Sequence, residues 1–244
     1  MRQEQLRFAK KNGMKIAATA FIPEGEGKHP VIIFTHGFGG NCKELMEHGP
    51  AVADAGMVGI FFDFCGGGIG IDSDGIMAEM TVQTEIEDLE VVMDEVVKLP
   101  YVDPDRVFFL GESMGGMVAA LVAAKRPTLL KGLVMWYPAF VVPDDARKRC
   151  ESGVHSVFGV ELNPKFDEGA MAIDVYGTIG GYKGPVKILH GNRDTMVPLS
   201  YSERAVEVYE QAELEVFRGT EHVFEDRDRE RALESSIAFM KTKM

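Results

Sequence analysis

The chain is poor in cysteine. Of 244 residues only Cys42, Cys65 and Cys150 are cysteines, and their spacing gives neither a CxxC pair nor a run of metal ligands. A disulfide scaffold is therefore excluded, no structural zinc motif is expected, and an odd, sparse set suits a reducing compartment. Long apolar runs are also missing: 45% of the residues are hydrophobic, yet no stretch is long enough to span a bilayer. The opening residues, MRQEQLRFAKKNG, lack the apolar stretch of a secretory signal, so a cytoplasmic location is expected. Basic residues are scarce, 26 against 38 acidic ones, a formal charge of −12. Such a surface repels nucleic acid and anionic membranes, and neither is expected as a partner. The short cluster Arg147-Lys148-Arg149 is too small to reverse that.

What the chain does have is a regular order of elements. It is long enough for one large α/β domain, 1–244, with a substantial core. Asn12-Gly13 separates two strand-like segments, 5–10 and 14–22, as in a hairpin. Short apolar runs at 31–34, 58–63, 107–110, 133–136, 186–190 and 214–217 read as strands buried on both faces. Helices are expected over 43–55, from Thr81 with Glu85 supporting its first turn, over 114–125, and over 228–242. This alternation predicts a mostly parallel, doubly wound sheet with helices on both faces and antiparallel strands at its start. In such sheets ligands bind beyond the carboxyl ends of the strands. Residues 141–184 break the rhythm and read as a small inserted cap.

The sharpest chemical signal is Gly111-Glu112-Ser113-Met114-Gly115, a G-x-S-x-G between an apolar strand and an Ala-rich helix. That setting is a nucleophile elbow, where glycines allow a sharp turn and the serine oxygen stands at its tip. A serine hydroxyl needs a base at neutral pH. On a strand–elbow–helix of this type the chain order is serine, acid, histidine. Asp194 and His222 satisfy it, each just past a late strand and so on the same sheet edge as Ser113. His29 precedes its strand, His48 lies in a helix, His155 in the cap, and His190 within an apolar run as a structural histidine. Asp167, Asp174 and Asp226 compete with Asp194, but only Asp194 combines the right order with a strand end.

Acyl transfer also needs donors for the developing oxyanion. The backbone N–H groups of Met114, after the nucleophile, and of Phe38, in the loop His36–Gly40, are the candidates, and the His36 side chain reads as a brace for that loop. Cys65-Gly66-Gly67-Gly68-Ile69-Gly70 fails as a phosphate-binding loop, because no Lys-Ser/Thr and no prompt helix follow it. A mobile loop near the site is expected there. The apolar and aromatic residues of the cap, among them Phe158, Phe166 and Tyr176, are the candidate substrate contacts. No metal or other cofactor is expected.

HGFGGN, DFCGGG, SDG, MTVQTEIEDL, GESMGG, HGNRDTMVP and GTEHVF occur in the order found in α/β-hydrolase esterases. Over nearly the whole chain the sequence resembles the small intracellular cinnamoyl/feruloyl esterase group, which releases hydroxycinnamic acids from plant-derived esters. The resemblance implies an α/β-hydrolase fold, Ser113, Asp194 and His222 as catalytic residues, and Phe38 and Met114 as oxyanion donors. It also implies a cap that holds an aromatic acyl group. The sequence departs from the group's pattern in the elbow, where Glu112 and Met114 stand for His and Gln, and in the 65–70 loop. The expected activity is hydrolysis of a small-molecule aryl or hydroxycinnamoyl ester through an acyl-enzyme. The alternatives are a short-chain carboxylesterase, a serine peptidase or amidase, and a non-catalytic binding module. Peptidases of this type usually carry a further domain, and non-catalytic relatives usually lose a triad member. A homodimer is compatible with the sequence.

Overall fold

A computed structural model describes residues 1–244. β1 (Arg2–Ala9) and β2 (Lys15–Ile22) pair antiparallel across the Asn12-Gly13 turn, where Gly13 takes φ +90°. β3 (His29–Thr35) is followed by α1 (Gly49–Asp54), β4 (Val58–Phe62), α2 (Val82–Val96), β5 (Val102–Glu112), α3 (Ser113–Lys125) and β6 (Gly132–Trp136). An inserted stretch holds α4 (Val142–Ser152), the short hairpin β7 (Ser156–Val157) and β8 (Val160–Glu161), α5 (Pro164–Met171) and α6 (Val175–Ile179). β9 (Val186–Gly191), α7 (Ser200–Val208), β10 (Ala212–Phe217) and α8 (Asp226–Lys241) complete the chain.

The main sheet has eight strands in the order β1-β2-β4-β3-β5-β6-β9-β10. β2 joins β4 antiparallel, and every pairing from β4 to β10 is parallel. The expected mostly parallel, doubly wound sheet is therefore present. Alternate side chains of each central strand enter opposite layers. In β3, Val31 and Ile33 face the layer that contains α2 and α3, while Ile32 and Phe34 face the layer of α1 and α8. α3 is buried along its length from Met114 to Ala123 and is apolar on all sides, as a helix enclosed by the core must be. No helix is long and apolar enough to cross a membrane.

Three local details differ from the expected elements. The helix expected over 43–55 is two 3-10 turns, Cys42–Glu44 and Met46–His48, followed by α1. Pro50 lies in the first turn of α1, where its missing N–H costs nothing, and it could not lie further inside a continuous helix. Thr81 caps α2 as expected, but its partner is Thr84: each backbone N–H donates to the other's hydroxyl, at 3.1 and 2.9 Å. Glu85 is one position too far along for that role and is fully buried, with neither oxygen hydrogen-bonded. Burial, reinforced by the nearby Asp88 carboxylate, pushes its carboxyl well above the usual range. No helix is among the expected elements over α7, an amphipathic segment that buries Ser202 and Ala205.

His48 is buried against Phe34 and Trp136, and its Nε2 makes no hydrogen bond, the nearest carboxylate being Glu47 at 3.9 Å. Burial, aided by the Arg229 charge, lowers its pKa from 6.5 to about 4. A folded pKa below the unfolded one makes the unfolded chain the better proton acceptor. The contribution of neutral His48 is thus complete above pH 6.5 and is lost as pH falls toward 4. Replacing His48 by Phe is expected to flatten the pH dependence of the unfolding free energy over that window, by on the order of 3 kcal/mol. Urea titrations of both proteins between pH 4 and 7 measure it, and parallel slopes would refute the assignment.

Candidate active site

β5 ends at Glu112 and α3 begins at Ser113, so the chain reverses direction at one residue. Ser113 takes φ +50°, a left-handed conformation that a non-glycine residue adopts only where the surroundings impose it. The turn fits because of two close approaches. A Cβ on Gly115 would lie 2.3 Å from the His36 carbonyl oxygen, and one on Gly37 would lie 3.2 Å from Ser113 Cβ. The elbow and the loop after β3 thus pack backbone against backbone.

Two loops at the same sheet edge bring His222 and Asp194 to Ser113. His222 Nε2 lies 2.9 Å from Ser113 Oγ, and His222 Nδ1 lies 2.6 Å from Asp194 Oδ2. A carboxylate can only accept, so Nδ1 carries the proton and Nε2 is left to accept from the serine hydroxyl. Asp194 is buried and takes four donors. Oδ2 accepts from His222 Nδ1 and from His190 Nε2 at 3.0 Å, while Oδ1 accepts from the N–H groups of Met196 and Val197 at 2.9 and 2.7 Å. Burial opposes its ionisation, but the bonds from His190, His222 and Val197 outweigh it and hold the carboxyl well below the usual range.

His190 has a larger part here than a packed core histidine. Its Nε2 faces two acceptors, Asp194 and the Val197 carbonyl, so it bears the proton, and Nδ1 accepts from the Ser202 hydroxyl at 2.7 Å. The sequence signal available for this was the i, i+4 spacing of His190 and Asp194. The rival acids are occupied elsewhere. Asp167 accepts from Arg149, Asp174 caps α6, and Asp226 is exposed at the start of α8. His29 is at the opposite end of the sheet, and His155 pairs with Asp167 in the insert.

Phe38 N–H makes no hydrogen bond, and Met114 N–H lies in the first turn of α3, where helix amides have no intrahelical acceptor. The loop at 65–75 is tied down, in contrast to the mobile segment expected. Gly68 bridges Gly39, with Gly39 N–H donating to Gly67 O and Ile69 N–H to Gly39 O, both at 3.1 Å. Asp63 ties this loop to the segment after β3, accepting from Asp72 and Cys42 N–H at 2.7 Å each. Its glycines serve close approach to the Phe38 loop. His36 braces the same region, accepting from Phe64 N–H at 3.2 Å while Nδ1 contacts Gly37 O.

A cavity of about 230 Å3 opens at Ser113 and His222. Phe38, Val157, Phe158, Phe166 and Val197 are among its mostly apolar walls, and Arg149 and Asp145 are its charged ones. Phe38 lies 6.1 Å from Phe166 and 6.2 Å from Phe158, centroid to centroid. Tyr176, expected among the substrate contacts, is not there. Its hydroxyl donates to Tyr201 O, and its ring packs against Arg204 and Phe140 on the far side of the insert. Asp167, fully buried, joins the insert's pieces by accepting from Arg149 Nε and Nη2 and from His155 Nδ1. Cys150, His155 and Asp167 offer donor atoms within 4.8 Å of one another, but both Asp167 oxygens already have partners, and the ion-pair network accounts for the cluster.

The sheet order, the elbow and the loops at its carboxyl edge define an α/β-hydrolase fold. Residues 45–244 match the prolyl oligopeptidase family, and the chain belongs to that family of hydrolases. Its structure is similar to that of Est1E from Butyrivibrio proteoclasticus with ferulic acid bound, with TM-score 0.85 and 24% identity over 97% of this chain and 98% of that one. It is 27% identical over 205 residues to 2,6-dihydropseudooxynicotine hydrolase from Paenarthrobacter nicotinovorans, covering 81% of this chain and 53% of that protein. An uncharacterized 31.7 kDa protein of Escherichia coli, from the traX-finO intergenic region, is 36% identical over 102 residues, 41% of this chain and 35% of its own length. The chain thus spans about a third to a half of these curated relatives.

Loss of the His190 donor is expected to weaken the Asp194 anchor. His190→Leu should destabilise the fold by at least about 1.5–3 kcal/mol, the scale of a hydrogen bond to a charged group. The loss should shrink in an Asp194→Asn background, because the two residues act on one bond. Denaturant melts of the four proteins in that cycle test it, and strict additivity would remove the coupling.

Proposed function

We propose that the chain is a serine carboxylic ester hydrolase acting on small aryl or hydroxycinnamoyl esters, with Ser113 as nucleophile, His222 as general base and Asp194 as the residue that orients it. The observation that carries this reading is the pair of contacts from Ser113 Oγ to His222 Nε2, 2.9 Å, and from His222 Nδ1 to Asp194 Oδ2, 2.6 Å, at the mouth of an apolar cavity. Ser113 Oγ attacks the acyl carbon as its proton passes to His222 Nε2, and the resulting oxyanion is held by the N–H groups of Phe38 and Met114. Imidazolium at His222, stabilised by Asp194, returns the proton to the leaving alcohol. Water then attacks the acyl-serine by the same route.

The acyl assignment is supported by the aromatic walls Phe38, Phe158 and Phe166, and by the likeness to a protein that binds ferulic acid. The cavity, about 230 Å3, is smaller than the roughly 300–1,000 Å3 usual for drug-sized ligands, which suits one small acyl group. Membership of the prolyl oligopeptidase family favours a second reading, amide cleavage by the same residues. Activity on a feruloyl or p-nitrophenyl ester with none on a peptide anilide would support the ester reading, and the reverse preference would replace it.

Two sets of variants probe the assignment. Ser113→Ala is expected to lower kcat by several orders of magnitude with the fold intact, and Asp194→Asn by roughly 10²–10⁴. Retention of more than about a tenth of wild-type activity by the serine variant would exclude Ser113 as nucleophile. In the insert, Phe158 is 73% exposed and Phe166 only 2%. Phe158→Ala should therefore lower kcat/KM for a feruloyl ester relative to an acetyl ester by about 1–3 kcal/mol with little change in Tm. Phe166→Ala should lower Tm as well, because it leaves a cavity. Equal losses on both esters in the Phe158 variant would return that residue to a structural role.

A further inference from the structure

A second cavity, about 620 Å3, opens on another side of Ser113 and His222, and it carries far more charge than the first. Its walls carry the carboxylates of Glu44, Glu47, Glu112, Glu225 and Asp226, against a single cation, Arg229. Arg229 is already committed. It donates to Glu47, to Glu112 at 3.1 Å and to the Glu44 carbonyl at 3.1 Å. The side chains of Glu44, Glu225 and Asp226 have no cationic partner and are exposed. The adjoining cavity beside His222 adds Glu221 and Asp228 and holds no lysine or arginine.

Aromatic groups stand among these charges. Tyr137 stands behind the same cavity, its ring packed against those of His222 and Phe224 at 4.8 Å each, and its buried hydroxyl makes no hydrogen bond. Phe158 lines both this cavity and the apolar one, with its ring largely open to solvent. The open Phe158 ring, in the same cavity as carboxylates without a cationic partner, makes a setting in which an organic cation is attracted twice, by charge and by a π system. An anionic group would meet only repulsion.

We propose that this acidic cavity is the leaving-group side of the site and that it selects esters whose alcohol carries a positive charge, such as a quaternary ammonium alcohol. The proposal rests on the reading of Ser113 as the residue that takes the acyl group. Once the acyl chain lies in the apolar cavity, the ester oxygen leaves toward the side next to His222, which must protonate it. Glu44, Glu225 and Asp226 then supply the discrimination at a distance, while Glu112, Glu47 and Arg229 form its internally paired floor.

The test compares kcat/KM for choline butyrate with that for its neutral carbon isostere, 3,3-dimethylbutyl butyrate, with p-nitrophenyl butyrate as a control. At low salt the choline ester is expected to be preferred roughly tenfold, the scale of a few partly screened unit charges. The preference should collapse toward unity in about 1 M NaCl, where the screening length is only about 3 Å. A Glu44→Gln, Glu225→Gln, Asp226→Asn variant should lose most of it at low salt. Asn is a suitable replacement at 226, where φ is +44°. A wild-type ratio of one or less, with p-nitrophenyl butyrate cleaved, would overturn the proposal and leave the esterase reading standing. A preference that survives both salt and the triple substitution would overturn it as well. Failure to cleave any of the three esters or their feruloyl counterparts would remove the esterase reading and the proposal together.

Discussion

Asp194 is held by donors from three directions: the His190 side chain on β9, the backbone of its own loop at Met196 and Val197, and the imidazole of His222 beyond β10. An ionised carboxylate at this depth would be costly without partners. With four donors it becomes the fixed point to which the rest of the site is referred. It sets the tautomer of His222, and that tautomer leaves Nε2 free to accept from Ser113. It also joins the loop after β9 to the loop after β10, two strands that pair in parallel. Charge, proton position and loop geometry are thus one arrangement.

Ser113 is held with equal strictness by packing. Its left-handed backbone is stable only because Gly115 and Gly37 let two loops approach closely, and the glycine-rich segment at 65–75 buttresses the outer of those loops. Phe38 consequently presents a free N–H from a loop fixed on both sides. Ser113 and the two N–H groups proposed to receive the oxyanion therefore sit on backbone that cannot relax independently, the preorganisation that the proposed chemistry requires.

Much of this was visible in the sequence because it rests on local rules. Apolar runs bounded by turns gave the strands, and the serine motif between a strand and a helix gave the elbow. Chain order together with strand ends selected the acid and histidine that now stand within hydrogen-bonding distance. What escaped the reading depends on side chains distant in sequence. The i, i+4 spacing placed His190 near Asp194, but only the acceptors around it fix its proton. Glu85 looked like a capping residue because Thr81-x-x-x-Glu85 differs from a capping box by one position, and helical geometry turns that position inward. The 65–75 loop looked mobile because glycines suggest freedom, whereas here they permit contact. Arg229 lies 117 positions from Glu112 and carries no local sign of their pairing.

The insert between β6 and β9 is the least legible part for a related reason. Its helices are short, between 5 and 11 residues, and helices of that length have little stability of their own in water. Their register comes from contacts between pieces, chiefly the buried Asp167 that accepts from Arg149 and His155. A buried ion pair of this sort adds little net stability over an apolar replacement, but removing one partner leaves the other charge stranded. Because Arg149 also lies over the Phe166 ring and lines the apolar cavity, the same interaction sets the position of that wall. The shape of the apolar cavity is therefore governed by a polar contact behind the aromatic surface, out of reach of any reading of hydrophobic periodicity.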